Sequence, residues 1–410
     1  MTTFPLPLTE LLGQYGSYFI YLLVGLAFGA TLETAGFGNS KKLAAQFYFK
    51  DLTVFKVMFT AIIVAMTLIF LSSAAGLLDY SLIWVPPTYL WPGIVGGLIM
   101  GAGFIVGGFC PGTSLVGMAT GKVDGLFFVL GVLSGIFLFG ETVANFAVFF
   151  ESSYMGRFTL PEMLGISYGT VVLLVVAAAL LMFFGAEKIE QFMGGETAQS
   201  APRWATVASA ALVALAALTL VIGQPDNEDR WQMIEADKTR QLDDREVQIA
   251  PAELLSLIHD SKIKAVLLDV RAEHHFNQFH LQGAVRLAEG EIIASARDFM
   301  FEPANTVFVL MSNDESAATE AWKRLKAESV PNVYILEGGV NNWIRTYASE
   351  EFVQERLIHK HRNEQPAWRF DAALGSRHPA AEPNPHAFEI EFEPKVKLEL
   401  KRAPTSGGCG

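Results

Sequence analysis

The sequence predicts a chain of two fold classes: a multi-span α-helical membrane domain over residues 1–223, then an α/β domain that ends in a short β-hairpin and a flexible tail. Three observations carry this. Hydrophobic residues make up 51% of the 410 positions, too many for one water-soluble domain, and they crowd into the first half. Charge follows the opposite gradient: residues 1–223 hold 8 Lys+Arg, 11 Asp+Glu and no histidine, whereas residues 224–410 hold 22, 31 and all eight histidines. Beyond residue 246, strand-like and helix-like patterns alternate.

Six apolar runs, near 17–36, 55–78, 89–109, 123–150, 166–185 and 204–223, are long enough to cross a bilayer, which takes about 17–25 residues. Lys41, Lys42, Lys50, Lys56, Lys122, Lys188 and Arg203 fall in alternate loops, and the other loops hold only Arg157. The positive-inside rule therefore puts the N-terminus outside and, after six crossings, the C-terminal half outside as well. In a Gram-negative bacterium that is a multi-pass inner (plasma) membrane protein with a periplasmic soluble half. No basic n-region with a cleavage site is read at the start. The soluble half is acidic, which disfavours nucleic acid as a partner, and the apolar half implies membrane lipid as one.

Two of the spans look interrupted. In GGFCPGTSLVGMATG (107–121), Pro111 disfavours helical backbone at Cys110 and suits the first position of a new helix, with Thr113 and Ser114 adding hydroxyls near its start. In LETAGFGNSKKLAAQ, Gly36, Gly38, Asn39 and Ser40 follow the first apolar run. Paired interruptions are a mark of transporters whose half-helix N-termini face an anion near the midplane. Gly97 and Gly101, Gly103 and Gly107, and Gly131 and Gly135 have the spacing of close helix contacts. Glu33 and Glu141, ionisable groups near span ends, are candidate path residues.

The segments AGFGNSKKLAAQFYFKD and GGFCPGTSLVGMATGKVDG resemble the signature segments of the YeeE/YedE family of sulfur-compound transporters, whose studied members take up thiosulfate. The resemblance covers about residues 17–223. It implies that Cys110 lines a narrow path and handles the anion through weak S–H hydrogen bonds, with Pro111, Gly112, Thr113, Gly38 and Asn39 around it. The chain departs from the family at Phe37 and Gly38, where no cysteine stands, so a relay of several membrane thiols is excluded.

Residues 224–246 read as a charged helical linker. After it, AVLLDV (265–270), TVFVLM (306–311) and VYIL (333–336) read as buried parallel strands, with AATEAWKRLKAE as a helix between the last two. Over 247–350 the detail resembles a rhodanese domain: LLDVRAEHHFNQFHLQGAVRL carries Asp269, Arg271, His280, Gly283 and Ala284, and LEGGVNNW carries Gly338, Gly339 and Trp343. A rhodanese holds its sulfur on a cysteine just after the strand that corresponds to TVFVL. Here the loop reads MSNDESAA, so Met311 or Ser312 replaces the thiol, and Asp314 and Glu315 are expected to repel an anionic donor. The domain is therefore expected to be catalytically inactive by itself. No cofactor and no metal site is read, the two cysteines being too far apart for a zinc site.

The C-terminal extension, 351–410, begins with EEFVQERLIHKHRN, read as a helix. FEIEFEPKVKLELK then alternates apolar and charged residues as a hairpin turning near Pro394. The end, SGGCG, puts Cys409 on a glycine-rich arm. It resembles the Gly-Gly-Cys-Gly-Gly arm of the carrier subunit in the Sox sulfur-oxidising system, which implies a sulfur-carrying thiol and a sulfurtransferase or sulfur-oxidising partner protein. Taken together, the expected function is binding or transport of a small reduced sulfur species, thiosulfate first, at Cys110, with Cys409 carrying sulfur. A membrane-anchored sulfurtransferase using Cys409 as nucleophile and a membrane-anchored docking module remain as alternatives.

Overall fold

The computed structural model describes residues 4–6, 8–83, 85–156, 158–192, 203–358, 363–388 and 391–398. The chain divides into two compact units between Gln224 and Pro225.

The first unit is helical. Its elements are α1 (Leu8–Thr34), α2 (Ser40–Ala45), α3 (Thr53–Ala74), α4 (Leu90–Gly107), α5 (Pro111–Ala119), α6 (Val123–Thr142), α7 (Ala147–Phe150), α8 (Leu160–Leu164), α9 (Tyr168–Phe192) and α10 (Arg203–Ile222). Among the described residues, six stretches are long and apolar enough to cross a membrane, and one of them, Leu90–Ala119, is α4 and α5 in series. Helix α9 is the hub: Val172, Val176 and Ala179 pack with Ile63 of α3 and Ala216 of α10. Gly169 lets α9 approach the α10 backbone at Leu220, where a Cβ would collide.

A buried carboxylate ties α9 to α3 at a second point. Glu190, 4% exposed, accepts from the Leu52 N–H (2.6 Å) and from Lys56 Nζ (2.8 Å), so it serves one of the unpaired amides at the start of α3. The expected glycine contacts are mostly elsewhere. Gly97, Gly101, Gly103, Gly131 and Gly135 face open space within the chain, and only Gly107 meets a neighbour, Phe128. Close backbone approach falls instead at Gly117 and Gly125, where α5 folds back on α6. The short turn at Gly121 forces those two helices together, whereas α4 and α6 have no such constraint on their glycine faces.

The second unit is an α/β fold. A five-stranded parallel sheet runs β1 (Gln248–Ile249), β5 (Val333–Leu336), β4 (Thr306–Met311), β2 (Lys264–Asp269), β3 (Val285–Arg286). The three strands read from sequence are its centre. The two edge strands are two residues long, too short to leave a periodic signal. Helices α11 (Asn227–Asp243), α12 (Pro251–Ile258), α13 (Glu273–Gln278), α14 (Ile292–Phe299), α15 (Ser316–Ala327), α16 (Gly339–Tyr347) and α17 (Glu350–Glu355) complete it. Leu310, Trp322, Ile335 and Trp343 are fully enclosed in its core.

The linker is helical as expected, and it packs. Trp231 of α11 meets Trp322 edge to face, Arg230 pairs with Glu328 (2.5 Å), and Asn227 Nδ2 donates to the Arg324 carbonyl.

The C-terminal extension departs from expectation in two places. Helix α17 stops at Glu355, because Leu357 bridges Trp368 and the Ile358 N–H donates to the Ala367 carbonyl. Residues 359–362 lie outside the described residues. The hairpin is not formed by residues 391–398, which run without ladder pairing. Their amides go to side chains: Lys395 N–H and Val396 N–H donate to Glu253 Oε1, and the Lys397 N–H donates to the Tyr334 hydroxyl, which donates back to the Lys397 carbonyl. Buried Glu253 and the phenol outcompete a second strand for these groups. The remainder of the hairpin and the tail lie outside the described residues.

Between these points the extension wraps the core. Trp343 Nε1 donates to the Ala380 carbonyl, and His378 sits among Phe279, Phe352 and Phe370 while its Nδ1 accepts from the Ala380 N–H. Burial holds the His378 imidazole below the ordinary histidine range. The unfolded chain takes up this proton near pH 6.5 and the folded chain does not, so the contribution is complete above that pH and is lost as pH falls from there. The melting temperature of the full chain is expected to drop between pH 6.5 and pH 5, and less so in His378→Gln. A pH profile identical in the two proteins would show that His378 does not sense the proton.

Candidate functional site

In the first unit the two interruptions are built alike. Helix α1 ends at Thr34, Gly36 takes a left-handed conformation (φ 78°), Phe37 is buried, and Asn39 caps α2 by accepting from the Lys41 N–H (3.1 Å). Helix α4 ends at Gly107, Gly108 is left-handed (φ 69°), Phe109 is buried, and Cys110 caps α5. Glycine is the residue type that reaches this backbone region without a Cβ penalty. Phe37 and Phe109 enter one small core with Leu43 and Val54.

The interruptions meet. A Cβ on Gly108 would lie 2.9 Å from the Ser40 carbonyl oxygen, so the second break rests against the first residue of α2. Ser40 Oγ donates to Asp124 Oδ2 in the first turn of α6 (2.7 Å). Gly38 faces Glu33 Oε2 and Lys122 Nζ, which a Cβ there would approach to 2.7 and 3.0 Å. Lys42 Nζ donates to the Ala35 carbonyl (3.0 Å) and lies against Gly36.

Cys110 and Thr113 cap α5 reciprocally. The Cys110 N–H donates to Thr113 Oγ1 (3.0 Å), while the Thr113 N–H (3.4 Å) and hydroxyl (3.3 Å) lie within donor reach of Cys110 Sγ. Thr113 and Ser114 are buried and Cys110 is half-buried. Cys110, Pro111, Gly112, Thr113, Gly38, Asn39 and Glu33 thus come to the junction of the two breaks. Glu141 does not. It is exposed near the end of α6, 17 residues or about 25 Å along the helix from Asp124. Lys122, Asp124, Ser40 and Lys42 also come to this junction and are not among the site residues expected from sequence. They stand in the segments GKVDG and GNSKK, whose lysines read as loop charges.

In the second unit the loop after β4 is a cradle. Met311 ends the strand with its side chain in the core, so Ser312 is the residue at the nucleophile position. The Val340 and Asn341 N–H groups of α16 donate to the Ser312 and Asn313 carbonyls. Gly339 (φ 61°) makes this possible, because a Cβ would overlap the Asp314 carbonyl. Asp269 and Arg271 brace the loop from β2. Their bidentate pair is buried, and Arg271 continues to the Phe279 carbonyl (2.6 Å) and to Asn313 Oδ1 (3.3 Å). His280 is turned away, stacked on Phe276 with Nδ1 on the Phe276 carbonyl, and Gly283 makes the left-handed turn that follows.

The loop is already occupied, by a carboxyl group from elsewhere in the same chain. Glu364 Oε1 accepts from the Ser312 hydroxyl (2.9 Å) and the Ala317 N–H (2.8 Å), and Oε2 accepts from the Asn313 N–H (3.3 Å). Glu315 is engaged by Arg245 and the Gly338 N–H, and Asp314 accepts from the Ser316 and Glu364 N–H groups. No sequence signal marked Glu364, which lies 50 residues from the loop it fills. Cys409 lies outside the described residues. Among the described residues no group of three or more His, Cys, Asp or Glu is placed to hold a metal ion.

Residues 34–231 match the family described as Sulphur transport, and residues 250–346 match the family described as Rhodanese-like domain. No curated protein and no solved structure matches the chain. The chain is a fusion of two families, a membrane segment of the YeeE/YedE sulphur-transport family continued by a rhodanese-like domain.

Proposed function

We propose that the membrane unit binds and passes thiosulfate at the junction of the two helix breaks, and that Cys409 carries sulfur for a partner protein of reduced-sulfur metabolism. The observation behind the first part is the meeting of the breaks, with the Cys110 thiol at the start of α5 and Ser40 of α2 against Gly108. The dipole at a half-helix start favours an anion. Lys122 Nζ next to Gly38 adds a positive charge beside the path. The S–H of Cys110 is a weak donor, suited to an anion that must also leave.

The sulfurtransferase alternative is the weaker reading, since Glu364 occupies the loop that would receive a nucleophile. The docking alternative leaves the paired breaks without a role. The orientation we propose, with the second unit on the periplasmic side of a bacterial inner membrane, rests on the loop lysines.

Uptake of radiolabelled thiosulfate by cells making the full chain is expected to fall at least tenfold in both Cys110→Ala and Cys110→Ser. Normal uptake by Cys110→Ala at equal protein level would remove the thiol from the path. Alkaline phosphatase fused after Gly410 is expected to be active, and an inactive fusion would reverse the orientation. Intact-mass measurement after exposure to thiosulfate and a sulfur-donor enzyme is expected to show reductant-sensitive sulfur adducts that map to Cys409. Disulfide-linked dimers without such adducts would end the carrier reading.

A further inference from the structure

At the junction of the two helix breaks the charges balance: Glu33 and Asp124 stand against Lys42 and Lys122. The two carboxylates are not equivalent. Asp124 Oδ2 accepts from the Ser40 hydroxyl (2.7 Å) and Oδ1 from the Gly125 N–H (3.0 Å), in the first turn of α6, where the helix dipole favours a negative charge. A proton there competes with those bonds. Glu33 lies in the last turn of α1, the end at which the dipole opposes a negative charge. Among the described residues no hydrogen bond or ion pair reaches its carboxylate, so a proton on Glu33 breaks nothing. The residue is also exposed, and no packed group has to move for a proton to arrive.

Gly38 brings this carboxylate to the first break. A Cβ on Gly38 would lie 2.7 Å from Glu33 Oε2 and 3.0 Å from Lys122 Nζ, so the carboxylate and the ammonium flank one point of the break without being joined as an ion pair. The other charged or titratable groups around it are Lys42 of α2, whose ammonium is held on the Ala35 carbonyl, Asp124 of α6, and the Cys110 thiol at the start of α5. Its own turn of α1 adds no other ionisable residue. A doubly charged anion that enters this neutral setting meets attraction from Lys122 and repulsion from Glu33 over the same few ångströms, in apolar surroundings that screen both less than water does.

We propose that Glu33 is the proton-binding residue of the membrane unit and that the anion crosses together with a proton. The inference rests on the transport reading and adds its coupling ion. Ionisable side chains within spans serve as proton relays in membrane transporters. With Glu33 neutral the junction carries one net positive charge and draws a dianion to Lys122, whereas with Glu33 charged the same dianion is repelled. By linkage the bound anion favours the proton by the same factor. In each passage one proton from the entry side bonds to a Glu33 carboxylate oxygen and leaves to the exit side once the anion has gone. No covalent bond of the anion changes. One proton against two negative charges leaves one negative charge moving with each turnover.

The test uses the full chain in proteoliposomes with radiolabelled thiosulfate and a pH-reporting dye trapped inside. Potassium at equal concentration on both sides with valinomycin holds the membrane potential at zero. Thiosulfate added outside the parent protein is expected to acidify the interior, and an exterior about one pH unit more acidic is expected to drive accumulation of up to about tenfold. Glu33→Gln mimics the protonated carboxyl. It is expected to keep measurable exchange of labelled for unlabelled thiosulfate at equal pH, and to show neither acidification nor accumulation. Glu33→Asp restores a carboxyl and is expected to restore part of both. Parent uptake without acidification, gradient-driven accumulation that survives Glu33→Gln, or complete loss of exchange in Glu33→Gln would each overturn the proposal and leave the transport reading standing. A parent that exchanges no thiosulfate would end both. If Glu33→Gln does not reach the membrane, Glu33→Asp carries the test: its pH profile of exchange is expected to move relative to the parent, and an unmoved profile overturns the proposal.

Discussion

A helix that starts where water cannot reach leaves its first amides without partners, and something else in the chain must supply acceptors. Much of this protein is arranged around that demand. Helix α3 begins under the carboxylate of Glu190, contributed from α9. Helix α5 begins under the thiol and hydroxyl of Cys110 and Thr113. Helix α15 begins under Glu364, drawn from the C-terminal wrap. In each case the acceptor does more than end a helix tidily. Glu190 joins two spans, Cys110 puts a thiol at the meeting of two breaks, and Glu364 closes the loop after β4.

The two breaks also show how a site can repeat without repeating its chemistry. Each has a left-handed glycine, a buried phenylalanine and a capping residue, and the two phenylalanines share one core. The scaffold is therefore duplicated, while only the second copy carries sulfur. Where the first copy has Gly38, the facing groups are the flexible ends of Glu33 and Lys122. The pair of breaks thus presents a thiol from one side and charged side chains from the other.

Legibility in the sequence followed the range of the interactions. The membrane spans, the three central strands and the break at Cys110 rest on hydropathy, periodicity and a proline, all local properties. The Asp269, Arg271 and Gly339 positions were marked by short motifs whose structural reasons are local too, a bidentate pair two residues apart and a backbone with no room for a Cβ. What was illegible came from pairings across tens of residues. Glu253 takes the amides of Lys395 and Val396, so residues 391–398 lack the ladder pairing that alternation suggested, and Glu364 reaching Ser312 has no pattern at all. Lys122 was visible as a charge, but its approach to Gly38 depends on how α5 folds back onto α6.

The latch at Glu253 and Tyr334 fixes the point from which the last stretch of chain departs. Eleven residues lie between Lys397 and Cys409, a contour length of at most about 40 Å. Chemistry between Cys409 and its own chain is therefore insensitive to dilution. Exchange with any other protein depends on that protein coming within the same radius of the latch.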